Sequence, residues 1–358
     1  VITFSVIGAA FLVLSHAATP AVSIEPENST IQTPALKGAN ANASGGGYVQ
    51  FKAQPVSSGW VDATTRPFAA SSPFNTLTPS NTTWHSVPSL LKNPDGATKN
   101  WYYNIARVWY AKPTDPIWTI NVTSPRDTFL NRVRQSPATF SVRAPANMMV
   151  DPDNIDHDHV LLLVSGTNYY EIYMANVDQA TRTVTQDYYG YAVDSVLTGN
   201  GTGTDANHIN YGTRAANFSW LAGLLTGRDL QNGKIDHALA VALTYDSLYG
   251  SGCGHTPIWK APATAWDNGG WCGPIIMGSK IGIPAGVAKP SGLTTWGGLI
   301  FDALQQYGAY VGDFTGGAWP SIYTDANSIP GAPDSLFSPF ETWGSDWGKI
   351  TPLLRVAD

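Results

Sequence analysis

The sequence predicts a mostly β protein, a β-sandwich or jelly roll with one packed α-helix. Three observations predict it. Short apolar and aromatic runs recur between Gly-, Pro- and Asn-rich turns, among them RVWYA at 107–111, VLLLV at 160–164, YYEIYM at 169–174 and HALAVAL at 237–243. The 358 residues include 35 glycines, 25 prolines, 13 tryptophans and 16 tyrosines but only 13% charged residues, a balance common among secreted β proteins that handle sugars. No fixed-period repeat runs through the chain, which disfavours a propeller or solenoid.

Taken in order, residues 1–17 of the opening VITFSVIGAAFLVLSHAATP are expected to be a signal peptide or membrane anchor. Ser15-His16-Ala17 supplies the small residues a signal peptidase accepts. The chain opens on Val1 with no Met or basic flank, so the segment reads as the remainder of a longer leader. A spanning helix needs about 20 apolar residues, more than are present, and both readings stay open. The expected location is extracellular, secreted or cell-surface anchored. Residues 18–56 are small, polar and rich in Pro, Ser and Asn, a stalk in which Tyr48, Val49, Gln50 and Phe51 are expected to form one strand. Residues 57–358 are then the β domain. In TTWGGLIFDALQQYG, Leu299, Ala303, Leu304 and Tyr307 fall on one helix face and Gly308 supplies the stop. Cys253 and Cys272 are the only cysteines, and in an exported chain such a pair reads as one disulfide closing a short loop.

Two resemblances accompany these elements. SIEPENSTIQ and ANASGGGYVQF are similar to the opening strands of family 6 and family 35 carbohydrate-binding modules. A whole module needs on the order of 100 residues, so residues 18–56 read as a stalk carrying a module remnant. Together with the preceding apolar segment, the stub resembles the N-terminal arrangement of surface proteins of Saccharibacteria and related ultra-small bacteria. Beyond it, HDHVLLLV, YYEIYMA, GKIDHALAVAL, PIIMGSKIGIP and ALQQYGAYVGD resemble a family of secreted, largely uncharacterised bacterial β-rich proteins. The basic residue that follows the Met-Gly pair in that family is here Lys280, and its Asp/His pattern appears as His157-Asp158-His159. That resemblance implies no particular activity.

The formal charge is −6 and no run of Lys or Arg occurs, so nucleic acid is not an expected partner. No Gly-rich loop between a strand and a helix marks a phosphate site either. The chemistry-bearing pattern lies in DNIDHDHVLLLVSGTNYYEIYMA, residues 153–175. Alternate strand residues share a face, which would place His157 and His159 side by side. The turn decides whether Glu171 joins them. A three-residue loop, Ser165-Gly166-Thr167, pairs Leu161 with Glu171 and puts the carboxylate on the histidine face; a two-residue Gly166-Thr167 loop pairs Leu162 with Glu171 and sends it to the other.

His157, His159, Glu171 and His237 together form a candidate site for a divalent first-row transition metal, as in cupin-type barrels, although the glutamate lies across a hairpin instead of a few residues after the histidines. For acid/base work the candidates are Glu171, His159, His237, Asp158 and Tyr173, with Asp236 as a further carboxylate and Lys280, Lys234 or Arg214 as the cation that would neutralise a uronate. The aspartates equally suit turn capping and histidine orientation. Trp319, Tyr323, Trp343 and Trp347 are candidate substrate-binding aromatics, since flat rings stack on pyranose faces.

The leading expectation is an exported surface-associated glycoside hydrolase or polysaccharide lyase acting on an extracellular polysaccharide. The alternatives are a non-catalytic adhesin or glycan-binding protein and a metal-dependent cupin-like oxidoreductase. Geometry separates them: an enzyme converges these side chains in a cleft, a cupin brings its imidazoles to one point, and a binding protein scatters them and exposes aromatics.

Overall fold

The computed structural model describes residues 35–39, 47–51, 59–123, 126–127, 132–133, 138–150, 159–186, 191–203, 212–250, 253–254, 257–266, 269–316, 319–329 and 343–358. The expected signal or anchor segment lies outside them, as do His157, Asp158 and the side chain of Trp343. The chain divides into two units, Val1–Ser58 and Gly59–Asp358. In the first, β1 (Ala35–Ala39) pairs antiparallel with β2 (Gly47–Phe51), Leu36 opposite Gln50. The strand expected at 48–51 is present.

In chain order the second unit begins with β3 (Trp84–His85), α1 (Pro88–Leu91), β4 (Tyr102–Ala106), β5 (Val108–Tyr110), β6 (Ile117–Val122), β7 (Arg126–Asp127), β8 (Arg132–Val133) and β9 (Ala138–Arg143). There follow β10 (Leu161–Ser165), β11 (Asn168–Ile172), β12 (Asn176–Asp178), β13 (Thr183–Gln186), β14 (Tyr191–Ser195), α2 (Gly227–Asn232) and β15 (Leu239–Leu243). Last come β16 (Lys280–Gly282), α3 (Thr295–Gln306), β17 (Ala309–Phe314), β18 (Ser321–Asp325), α4 (Trp343–Ile350) and β19 (Arg355–Ala357). The fold is mostly β, with several sheets and few helices.

The largest sheet has seven strands in the order β3-β19-β16-β17-β15-β18-β4. Two four-stranded sheets, β14-β11-β10-β5 and β12-β13-β6-β9, and the short β7–β8 pair complete the set. The sheets are mixed: β15 runs parallel to β17, β18 to β4, β10 to β5 and β13 to β6. Parallel neighbours need long connections, and the one between β15 and β17 contains β16 and α3.

Hydrophobic burial explains the layering. In β10, Leu162 and Val164 enter the larger core, shared with the seven-stranded sheet, while Leu161 and Leu163 enter a second core with Trp118, Ile120 and Val142. A strand buried on both faces carries no polar alternation, which is why VLLLV is an unbroken apolar run. All five residues of β15 are buried for the same reason.

The predicted helix is α3. Thr294 caps it, its hydroxyl accepting from Gly297 N at 3.1 Å, and Gly308 follows at φ +73°, which a residue without Cβ takes without strain. Its buried face contains Ile300, Phe301, Ala303 and Leu304, while Leu299 and Tyr307 flank it partly buried. Among the described residues three further helices accompany it, where one was expected. The longest, α4, packs on α3 through Asp346, whose carboxylate accepts from Thr294 N at 3.0 Å and from the Thr294 hydroxyl. The disulfide between Cys253 and Cys272 is formed, with Cα atoms 5.6 Å apart. Among the described residues no helix is long and apolar enough to cross a membrane.

Candidate functional site

The β10–β11 hairpin turns on two residues. Gly166 takes φ +68°, as the first central position of a tight hairpin turn requires, and Ser165 pairs with Asn168. Leu162 therefore faces Glu171, and the carboxylate enters the larger core. It is 1% exposed and committed on both oxygens: Oε2 accepts from Thr213 N at 2.7 Å and Thr213 Oγ1 at 2.8 Å, and Oε1 accepts from Trp220 N at 2.6 Å. Burial raises its pKa, and donors from Thr213, Ser219 and Trp220 pull it back. Buried Arg214 runs through the same loop, donating to the Ala222 and Trp220 carbonyls with its guanidinium 3.9 Å over the Tyr323 ring. These side chains fasten the segment 213–222 to the sheet.

His159 does not extend β10. It sits half-buried at φ +42°, outside the extended conformation of a strand, and β10 begins only at Leu161; the expected pairing with His157 lies outside the described residues. Its carbonyl accepts from Ala175 N at 2.9 Å. Tyr173 lies just beyond β11, packed against the larger core.

His237 belongs to a charged network at the start of β15. Its Nδ1 lies 2.9 Å from the Ala238 carbonyl and its Nε2 lies 3.3 Å from Asp229 Oδ2. Both ring nitrogens face acceptors, an arrangement that suits the doubly protonated ring and leaves no lone pair for a metal or a substrate proton. Burial opposes that charge, but Asp229, the Ala238 carbonyl and Asp236 together outweigh it and raise the His237 pKa. Asp229 also accepts from Thr226 N and Oγ1 as the capping box of α2. Arg228 grips Asp236 with two bonds of 2.8 and 3.0 Å. Burial pushes Asp236 up, but Arg228, Arg66 and His237 hold it down at about 2. Beside the network Phe74, Asn75, Leu221, Thr226, Arg228 and His237 line a cleft with about the room of one water molecule.

Of the predicted constellation, Glu171 and His237 are each committed to internal partners, and His157 and Asp158 lie outside the described residues. Among the described residues no group of three or more His, Cys, Asp or Glu side chains is placed to hold a metal ion. Two expected aromatics are core residues, because Tyr323 and Trp347 are each 1% exposed. Trp347 stacks on Trp101 at 4.8 Å between centroids and donates to the Tyr103 hydroxyl at 2.9 Å, which leaves no ring face for a ligand. Lys280 is half-buried on β16, its Nζ 3.3 Å from Thr78 Oγ1 and 4.7 Å over the Tyr310 ring. Burial lowers its pKa to about 8. The ring face favours the ammonium by only about 0.5–1 kcal/mol, less than one pKa unit and too little to restore the ordinary value.

Trp319 is different, 49% exposed just ahead of β18. Ser321 of β18 pairs with Ala242 of β15, so Trp319 lies at the end of the sheet where β15 and β17 finish. Tyr245, 54% exposed, leaves β15 at that end. Phe314, the last residue of β17, stacks on Trp271 at 4.0 Å and 27°. Trp271 lies next to Cys272, so the disulfide loop borders the same region.

What turns Tyr245 outward is its neighbours. Lys99 Nζ, 1% exposed, donates to Thr244 Oγ1 at 2.7 Å, to both Asp246 oxygens at 2.7 and 2.8 Å, and to Ser247 Oγ at 2.8 Å. With the residues on either side drawn inward to one ammonium, Tyr245 is left facing solvent. Sequence reasoning missed Tyr245, Trp271, Phe314 and Lys99. The available signal was a tyrosine set between Thr and Asp directly after a fully apolar strand. Compared with known proteins, the chain matches no family model, no curated protein and no solved structure.

Proposed function

We propose that this protein is an exported, surface-held glycan-binding protein whose contact with an extracellular polysaccharide is made by the aromatic sheet end. The observation that carries this reading is the half-exposure of Trp319 and Tyr245 beside the stacked Trp271–Phe314 pair. Aromatic faces meet the C–H faces of pyranose rings without needing charge, and a ligand held this way tolerates a net-negative protein. The commitment of Glu171 and His237 to internal partners favours binding over the acid/base and metal-dependent alternatives, which require those groups to reach a substrate or an ion. The apolar opening segment and the Cys253–Cys272 bridge support an oxidising, extracytoplasmic location. We read the two four-stranded sheets around the smaller core as the sandwich element of the fold.

Affinity electrophoresis through gels containing a soluble neutral β-glucan, a xylan, a mannan or the anionic alginate tests the proposal. Retardation is expected in at least one neutral gel. Trp319→Ala and Tyr245→Ala should each weaken binding on the order of tenfold, about 1.4 kcal/mol per ring. Equal retardation of the double variant and the parent would end the reading.

A further inference from the structure

The described lysines differ in what holds their amines. Lys99 has Asp246, Thr244 and Ser247; Lys289 has Asp302 at 2.6 Å; Lys234 has Asp236 at 3.7 Å; Lys260 and Lys349 donate to backbone carbonyls; and Lys92, on the Thr98 hydroxyl at 3.1 Å, is exposed, whereas Lys280 is half-buried. Lys280 has a hydroxyl and a ring face. The Thr78 hydroxyl can accept from the ammonium or donate to the free amine, so it serves either form. Gly308 lets the chain pass close to the Lys280 stem: a Cβ there would press on Lys280 Cγ and Cδ. Among the described residues the titratable group that faces the amine is the Tyr310 phenol, which burial pushes up to about 12 and keeps uncharged. The amine is therefore partly desolvated, paired with no carboxylate among the described residues and still within reach of solvent.

We propose that Lys280 is a carbonyl-reactive amine, a site that takes small aldehydes, open-chain aldoses among them, as a reversible imine. The nitrogen lone pair adds to the carbonyl carbon, forming the C–N bond while the C=O π pair moves to oxygen, which takes a proton. The carbinolamine then expels its hydroxyl as water and loses the N–H proton to solvent, leaving C=N. The balance is one amine and one aldehyde to one imine and one water. At pH 7 an amine of pKa about 8 is about a tenth free, against about one part in 2,500 for an ordinary lysine. This site lies by Gly308, at the start of β17, and does not rest on the glycan reading.

The test incubates the full chain briefly with D-glyceraldehyde and sodium cyanoborohydride at pH 7 and maps reductive labelling by peptide mass spectrometry. Lys280 is expected to label at least tenfold faster than Lys234 and Lys289, with a rate that rises with pH and levels off above about 8. Labelling of Lys280 no faster than those two overturns the proposal. Lys280→Arg, which keeps a cation in place, should abolish the fast phase; its persistence in that variant would overturn the assignment equally.

Discussion

Glu171 places a carboxylate inside the larger core, and its position there depends on three donors from one loop. Removing it strands the Thr213 and Trp220 amides in a buried setting. Glu171→Ala is expected to lower stability by about 3 kcal/mol, seen as a shift of the urea midpoint at constant m-value. A variant within about 0.5 kcal/mol of the parent would show that those amides find other partners. Scarcity made this residue conspicuous in the sequence, where four glutamates occur in all. Its role was not legible, because that depends on one residue of turn length, and both Gly166-Thr167 and Ser165-Gly166-Thr167 are acceptable loops. The same holds for His237: the motif locates an imidazole, whereas the acceptors on both ring nitrogens come from Ala238 and from the capping carboxylate of α2.

At the scale of elements, α4 illustrates how an aromatic-rich stretch misleads. Trp343 and Trp347 stand four apart, a helical spacing, yet the surrounding Gly, Ser and Pro residues read as loop. Tertiary contacts override that composition: Asp346 ties α4 to the first turn of α3, and Trp347 fills the core against Trp101. Asp346→Ala should cost about 2 kcal/mol by leaving Thr294 N without its acceptor and loosening the α3 cap, measurable as a lower thermal midpoint. No change in midpoint would mean that the contact between the helices rests on apolar packing alone. By contrast α3 was legible as an element, because its apolar period and its Gly stop agree, although its buried face centres on Ile300, Phe301, Ala303 and Leu304 with Leu299 and Tyr307 at its margin. So were β10, β11 and β15, whose apolar runs are long enough to need burial wherever they pair.

Across the whole molecule, buried charge sets the pH dependence. Asp325 is buried, its Oδ1 accepting from the Val108 and Asn327 amides, and burial raises its pKa from 3.8 to about 6. A carboxyl raised in the folded state contributes stability that is complete below the unfolded value and is lost as pH rises through the folded one. The loss from this group, spread from about pH 3 to about pH 7, is on the order of 3 kcal/mol in all. His237 and Glu171, both raised, act with the same sign, whereas Asp236, lowered to about 2, contributes above pH 4 and fails only in stronger acid. Urea midpoints are therefore expected to fall from pH 4.5 to pH 7, and Asp325→Asn should flatten that slope. A midpoint higher at pH 7 would contradict the assignment. The β-rich class was legible, but the strand order was not, since neighbours in the largest sheet are remote in sequence: β4 at 102–106 pairs with β18 at 321–325, and β3 at 84–85 with β19 at 355–357. That remoteness has a temporal meaning. At ribosomal rates of about 5–20 residues per second, β4 emerges roughly 10–40 s before β18 exists. Through that interval its parallel edge is unclosed, so the schedule of synthesis, ahead of any local propensity, fixes when the aromatic surface can first assemble.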